Sequence, residues 1–108
     1  MIKNATIKGV RLFVEDHGIM TSFIELDYGG TCQGFGGWCL GKPGKPDMAL
    51  AEWIYGIMQA VGVDSWEDLP GKSCRVERED EFNSPVDRIG HFLKDEWFSP
   101  RELWKNRE

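Results

Sequence analysis

The sequence predicts an α+β fold: a mainly antiparallel sheet of about five strands, one long helix packed on one face of it, and short helical turns. Three observations predict it. Apolar runs with a two-residue period neighbour one another towards both ends of the chain, one run of helical period lies between them, and Gly- or Pro-rich stretches punctuate the boundaries. At 108 residues, 41% of them hydrophobic, the chain has the size of a single domain spanning 1–108 and can bury a core without metal or disulfide staples.

Thr6 to Glu15 opens the sheet, with Val10, Leu12 and Val14 alternating against Gly9, Arg11 and Phe13. Asp16-His17-Gly18 is turn chemistry, because Asp tolerates turn geometry and Gly supplies a positive φ. Thr21 to Tyr28 forms the second strand, with Ser22, Ile24, Leu26 and Tyr28 on one face and Phe23, Glu25 and Asp27 on the other. Gly29-Gly30 turns the chain into a glycine-rich third strand, Thr31 to Leu40. Gly41 to Pro46 is expected to be a loop, since two prolines and two glycines interrupt a ladder.

The helix follows. Asp47 can cap it, Leu50, Trp53, Ile54, Ile57, Met58 and Val61 recur at helical spacing, and Gly62 stands where a C-terminal cap belongs. Ser65-Trp66-Glu67-Asp68 reads as a serine-capped single turn, Ser73 to Glu77 as a fourth strand and Arg88 to Leu93 as a fifth. The charged stretch between the last two is expected as an exposed loop. Ser99-Pro100 starts a short terminal helix.

The stretch YGGTCQGFGGW, Tyr28 to Trp38, invites a comparison with phosphate-binding loops. A dinucleotide fingerprint needs GxGxxG opening a helix, but Cys39 takes the third glycine's place and a proline loop follows. Gly71-Lys72-Ser73 lacks the upstream glycine of a Walker loop and leads into a strand. Two readings stay open: Trp53 or another helix aromatic fills a groove over the glycines, or the strand is a smooth platform flanked by Gln33, Phe35 and Trp38 on which a partner docks.

Composition narrows the function classes. A formal net charge of -5 argues against sequence-independent binding to nucleic acid or anionic membranes, and no apolar run reaches the ~18 residues of a membrane span. Cys32, Cys39 and Cys74 cannot all pair and fit neither a CxxC pair nor a zinc knuckle, which points to free thiols in a reducing, cytoplasmic setting. Asp16, His17 and His91 are the residues that could assemble into a small catalytic or nucleotide-sequestering site. No HxH, HExxH or GxSxG spacing supports a metal or serine site, and no cofactor is implied. Glu25 and Asp27 share a strand face as exposed acids do.

The acids cluster. From Val63 to Glu81 seven acids face three bases, a local balance of -4 that is most of the chain's charge. Such a stretch either solvates the fold or meets the basic groove of a nucleic-acid-binding partner. Trp66, Trp97 and Trp104 either close the core or face a partner, including a second copy in a homodimer.

The runs Glu15-Asp16-His17-Gly18-Ile19, Leu26-Asp27-Tyr28-Gly29-Gly30 and Gln33-Gly34-Phe35-Gly36-Gly37, with WEDLPGK (Trp66 to Lys72) and IGHFLKDEWFSP (Ile89 to Pro100), resemble a family of small phage- and prophage-encoded proteins. The resemblance spans most of the chain. It implies an accessory protein made in the cytoplasm of an infected bacterium, similar to anti-defence and anti-CRISPR inhibitors that bind a nuclease complex without catalysis. Its partner would be a bacterial defence protein or another host nucleic-acid-binding complex, with no direct contact to nucleic acid or membrane. The candidate partner-binding residues are Glu77, Glu79, Asp80, Glu81, Gln33, Phe35 and Trp38.

Overall fold

The computed structural model describes residues 1–38, 41–79, 84–101 and 103. The sheet is built from β1 (Ile2–Val14), β2 (Met20–Asp27), β3 (Cys32–Gly36), β6 (Ser73–Glu77), β7 (Arg88–His91) and β8 (Trp97–Phe98), in the spatial order β3-β2-β1-β6-β7-β8. Every neighbouring pair is antiparallel. After β3 the chain leaves the sheet through a two-stranded ribbon, β4 (Gly41–Lys42) with β5 (Lys45–Pro46). It then crosses one face as α1 (Met48–Val61) and returns through a 3-10 turn (Trp66–Asp68) to lay β6 beside β1. The α+β reading therefore holds, with six strands where the sequence suggests about five.

Helix α1 is fixed at both ends by the residues expected to do so. The Asp47 carboxylate accepts the N–H of Ala49 at 2.9 Å, and Gly62 takes the left-handed conformation (φ 92°) while its N–H donates to the Met58 carbonyl. Between the caps, Ala49, Leu50, Trp53, Ile57, Ala60 and Val61 form the buried stripe. It rests on Ala5, Ile7, Ile24, Leu26, Phe35, Cys74, Val76 and Ile89 of the sheet. Trp53 sits at the centre, fully buried, with ring centroids of Phe35, Trp38 and Phe98 at 4.8, 5.2 and 5.7 Å. Taking the apolar surface of that ring out of water stabilises the fold by about 3 kcal/mol, offset in part by the indole N–H, which is buried without a hydrogen-bond partner among the described residues.

A bulge in β1 changes the strand's parity. Ile7 pairs with Leu26 but Gly9 pairs with Glu25, so Lys8 is the extra residue and both Ile7 and Val10 come to the helix side. Leu12 and Val14 keep the expected alternation but stay exposed where the β1–β2 hairpin runs out past the core.

Several boundaries differ from the expectation. β1 starts at Ile2, because β6 gives its first residues a partner as far as Glu77. β3 ends at Gly36, where positive φ values at Gly36 and Gly37 take the chain off the ladder; the remaining expected strand residues, Cys39 and Leu40, lie outside the described residues. The prolines of the 41–46 segment do not prevent a two-rung ribbon, since Pro43 falls in its turn and the Gly44 N–H is taken up by the Gly18 carbonyl at 3.0 Å. Ser65 does not cap the 3-10 turn; its hydroxyl donates to the Glu67 carboxylate instead. β7 stops at His91. At the tail, the Leu103 N–H donates to the Pro100 carbonyl at 2.9 Å and Leu103 is buried in the core.

Three rings lie flat on glycines. A methyl group on Gly34 would come within 2.6 Å of Phe23 Cζ, one on Gly90 within 2.5 Å of Trp97 Cδ2, and one on Gly56 within 2.5 Å of Phe98 Cε1. Each is far inside the ~3.5–4.0 Å contact of two carbons. Gly36 is covered from the core side by Trp53, so the groove-filling reading of the glycine strand is realised by a helix aromatic on one face and by Phe23 on the other.

Among the described residues no helix is long and apolar enough to cross a membrane.

Candidate functional site

The acidic segment leaves the sheet from β6, a strand held on both sides by β1 and β7. Its side chains alternate as strand geometry demands: Cys74 and Val76 point into the core, Arg75 and Glu77 point away. The alternation continues one step past the strand. Arg78 turns inward and is 7% exposed, whereas Glu79 is exposed. A backbone rung beyond the ladder fixes this, with the Arg78 N–H donating to the Met1 carbonyl at 2.9 Å and the Met1 nitrogen donating to the Arg78 carbonyl at 2.7 Å.

Inside, the Arg78 guanidinium stacks over the Tyr28 ring at 4.8 Å, and its Nη1 donates to Gln33 Oε1 at 3.2 Å. The Tyr28 hydroxyl donates to the same oxygen at 2.7 Å, and Gln33 Nε2 donates to the Ser84 carbonyl at 3.1 Å. These contacts follow from sheet parity. Gln33 opposes Leu26 on the neighbouring strand, Tyr28 continues the Ile24 and Leu26 row, and Arg78 continues the Cys74 and Val76 row, so all three arrive at one end of the helix side. Burial pushes the Tyr28 phenol above its usual range against the opposing charge of Arg78. A cavity of about 410 Å³ lies beside this cluster and reaches Thr31, Cys32, Ser84 and Pro85.

The expected platform of Gln33, Phe35 and Trp38 does not form. Phe35 opposes Ile24 and is 3% exposed, packed against Trp38 and Trp53, so it is a core residue with no face to offer a partner. Gln33 is on the same inward row, engaged with Tyr28, Arg78 and Ser84. Trp38 is half-buried, with its ring edge-on to Trp53 and its carbonyl accepting from the Thr21 hydroxyl at 2.8 Å. The outward side of β3 is instead Cys32 and Gly34, with the Phe23 ring over Gly34.

Of the acidic candidates, Glu77 is paired with Arg88 on the outer face of the sheet, and Arg88 also stacks on Trp97 at 4.1 Å. Glu79 is exposed; Asp80 and Glu81 lie outside the described residues, as does Trp104. Trp66 is half-buried against the core, whereas Trp97 lies over Gly90 on the outer face of the sheet, with the Arg75 and Arg88 guanidinium groups on its ring.

The histidines do not converge. His17 sits in the exposed β1–β2 turn with its Nδ1 2.7 Å from Glu15, which raises the imidazole's pKa and is matched by a lowered carboxylate pKa on Glu15. His91 pairs across the sheet with Cys74, and Cys74 with Ala5, so the length of β1 from Ala5 to Val14 separates the two rings, about 30 Å at a rise of about 3.3 Å per residue. The His91 Nδ1 accepts the N–H groups of Leu93 and Lys94, each at 3.0 Å, which places the neutral ring's proton on Nε2 and gives the residue a turn-holding role. Asp27 has a similar one: the N–H groups of Gly30 and Gly29 hold its carboxyl below the usual range. Among the described residues no three His, Cys, Asp or Glu side chains gather as a metal site requires.

The cluster of Tyr28, Gln33 and Arg78 was not legible as a site in composition, where Arg78 counts only as one base within an acidic run. Its signal was parity, because Arg78 stands two and four residues beyond Val76 and Cys74. No protein family, curated protein or solved structure matches this chain.

Proposed function

We propose that the protein is a non-catalytic binding module that inhibits a bacterial defence complex, or another host nucleic-acid-binding assembly, by occupying it. This is the function class implied by its resemblance to phage-encoded inhibitors. The observation that supports it most is the inward turn of Arg78. Between Glu77 and Glu81 that arginine is the one base, and it is 7% exposed beside Tyr28 while Glu79 is exposed. A rigid strand pair supports the segment, which is how binding loops are ordinarily held. A groove lined by Lys and Arg for phosphates would meet this surface with complementary potential, which raises the association rate and excludes neutral competitors.

The test is a pull-down with the tagged chain from defence-active bacterial lysate at low and high salt, followed by association kinetics on the recovered complex. Retention of one nucleoprotein assembly, lost as ionic strength rises, is expected. Reversing Glu79, Asp80 and Glu81 to lysine together should slow association at least about tenfold. An unchanged rate for the reversed chain would remove the acidic segment from the account.

A further inference from the structure

The two edges of the sheet are built differently. At one end β8 is two residues long and runs into Ser99 and Pro100, so it offers little to a further strand. At the other end β3 is five residues long, and the whole stretch from Tyr28 to Gly41 is uncharged in a chain whose net charge is -5. Edge strands are ordinarily blunted by a lysine, a proline or an inward-pointing charge, and β3 has none of these.

The direction of its hydrogen bonds follows from its ends. The Tyr28 N–H donates to the Thr31 carbonyl and the Gly37 N–H to the Ser22 carbonyl, in the same register that sets Leu26 against Gln33 and Ile24 against Phe35. In an antiparallel ladder the bonded pairs recur at every second residue, so Thr31, Gln33, Phe35 and Gly37 face β2. The N–H and carbonyl groups of Cys32 and Gly34 therefore point away from the sheet, where no described residue takes them up. Gly36 shares their parity, but its φ of 115° turns the chain aside. On the outer face of the same two residues the Phe23 ring reaches over Gly34, and Cys32 is exposed.

We propose that this edge pairs with β3 of a second copy of the chain, antiparallel about a two-fold axis beside Gln33, so that Cys32 of each copy lies opposite Gly34 of the other. This register makes about four backbone hydrogen bonds from groups that have no partner in the single chain, and it leaves Gly36 out of the ladder. Each Cys32 thiol comes beside the Phe23 ring that covers the opposite Gly34, a sulfur–aromatic contact made twice by symmetry. Charge selects the same place, because two copies that each carry -5 meet with least repulsion where neither strand is charged. The two-fold closes on itself, and the short β8 edge does not propagate it into a fibre. The pairing is independent of the inhibitor reading, and its test needs no other protein.

The natural chain is studied by sedimentation and by amide hydrogen exchange in 15N-resolved spectra, at about 50 μM and at about 1 mM, a range that a small interface spans. The Gln33 and Phe35 amides are bonded within one chain and should be protected in both samples. The Cys32 and Gly34 amides should exchange freely in the dilute sample and at least about tenfold more slowly in the concentrated one, where the mass doubles. Cys32→Lys sets like charges against each other at the contact and should keep the concentrated chain monomeric, whereas Cys32→Ser should still dimerise. In a Cys39→Ser chain a bismaleimide of about 8 Å reach should join the two Cys32 thiols, since diagonal neighbours on paired strands lie about 7–8 Å apart; failure to join them would refute this register. A monomeric mass in the concentrated sample would leave the edge to a foreign strand and overturn the proposal. So would a dimer whose Cys32 and Gly34 amides exchange as freely as in the dilute chain, or one that Cys32→Lys leaves intact.

Discussion

Replacing Gly56 by alanine sets helix propensity against packing, and the structure decides between them. In an open helix the substitution stabilises by about 1 kcal/mol, because alanine loses less backbone freedom on folding. Gly56, however, lies under Phe98, and the new methyl would sit 2.5 Å from Cε1 and 3.0 Å from Cγ of that ring. Those atoms are not the loose end of a flexible side chain. Phe98 is paired with Ile89 through β8, and its ring meets Trp53 edge-on at a centroid distance of 5.7 Å, so it can retreat only by giving up that contact. Overpacking of this kind costs about 1–3 kcal/mol and the lost aromatic pair about 0.5–1.5 kcal/mol. The net expectation is a loss of about 1–3 kcal/mol, seen as a fall in Tm of at least about 4 °C for a domain of this size. Urea unfolding followed by tryptophan fluorescence measures it. The decisive comparison is the same change in a Phe98→Ala background, where no ring opposes the methyl and Gly56→Ala should stabilise by about 1 kcal/mol. A stabilising Gly56→Ala in the natural chain, or the same sign in both backgrounds, would refute the reasoning.

Two further outcomes are expected from groups whose surroundings shift their ionisation. Glu15 raises the pKa of His17 above the usual 6.5, so the pair's contribution to the folded turn is complete below about 6.5 and is lost as pH rises through the raised value; from the other side, it is complete above about 4.5 and is lost as pH falls through the lowered pKa of Glu15. An NMR titration should place the His17 midpoint above 6.5 and return it towards 6.5 in Glu15→Gln; an unmoved midpoint would show that the hydrogen bond does not control it. Burial pushes the Cys74 thiol up to about 12, which leaves about one thiolate in 10,000 molecules at pH 8. Iodoacetamide should therefore modify Cys32 and spare Cys74 until denaturant is added, and early labelling of Cys74 in the folded chain would contradict its burial.

What could be read from the sequence was whatever a local segment decides for itself. Asp47 and Gly62 mark the helix because capping needs only the groups within one turn, and Ser73 to Glu77 is a strand because its alternation is complete in five residues. β8 could not be read that way. Trp97 and Phe98 are two residues without alternation, and they pair because Gly90 on the preceding strand and Gly56, far away in sequence, leave room for their rings. The bulge at Lys8 was equally hidden, since its effect is to put Ile7 and Val10 on one face against a partner strand, and a single strand's pattern does not show its partner. The inward placing of the glycine strand's aromatic was hidden for the same reason. Gln33, Phe35 and Trp38 are a plausible platform if β3 is considered alone, but pairing with Leu26 and Ile24 commits Gln33 and Phe35 to the inward row.

That commitment also resolves the glycine-rich stretch. Its glycines do not cradle an anion with backbone N–H groups: Gly34 carries the Phe23 ring on the outer face, and Gly36 makes way for Trp53 on the inner one. The residue between the pairs of glycines that reaches a charged partner is Gln33, which joins Tyr28 and Arg78 at the end of the sheet. The two faces of one short strand are thus separable. A change at Gly34 must displace Phe23, on the side away from the Arg78 cavity, whereas a change at Gln33 removes the hydrogen bonds that join it to Arg78 and Tyr28 on the cavity side. An interaction that responds to the first and not the second uses the open face of the sheet, and one that responds to the second alone uses the cavity.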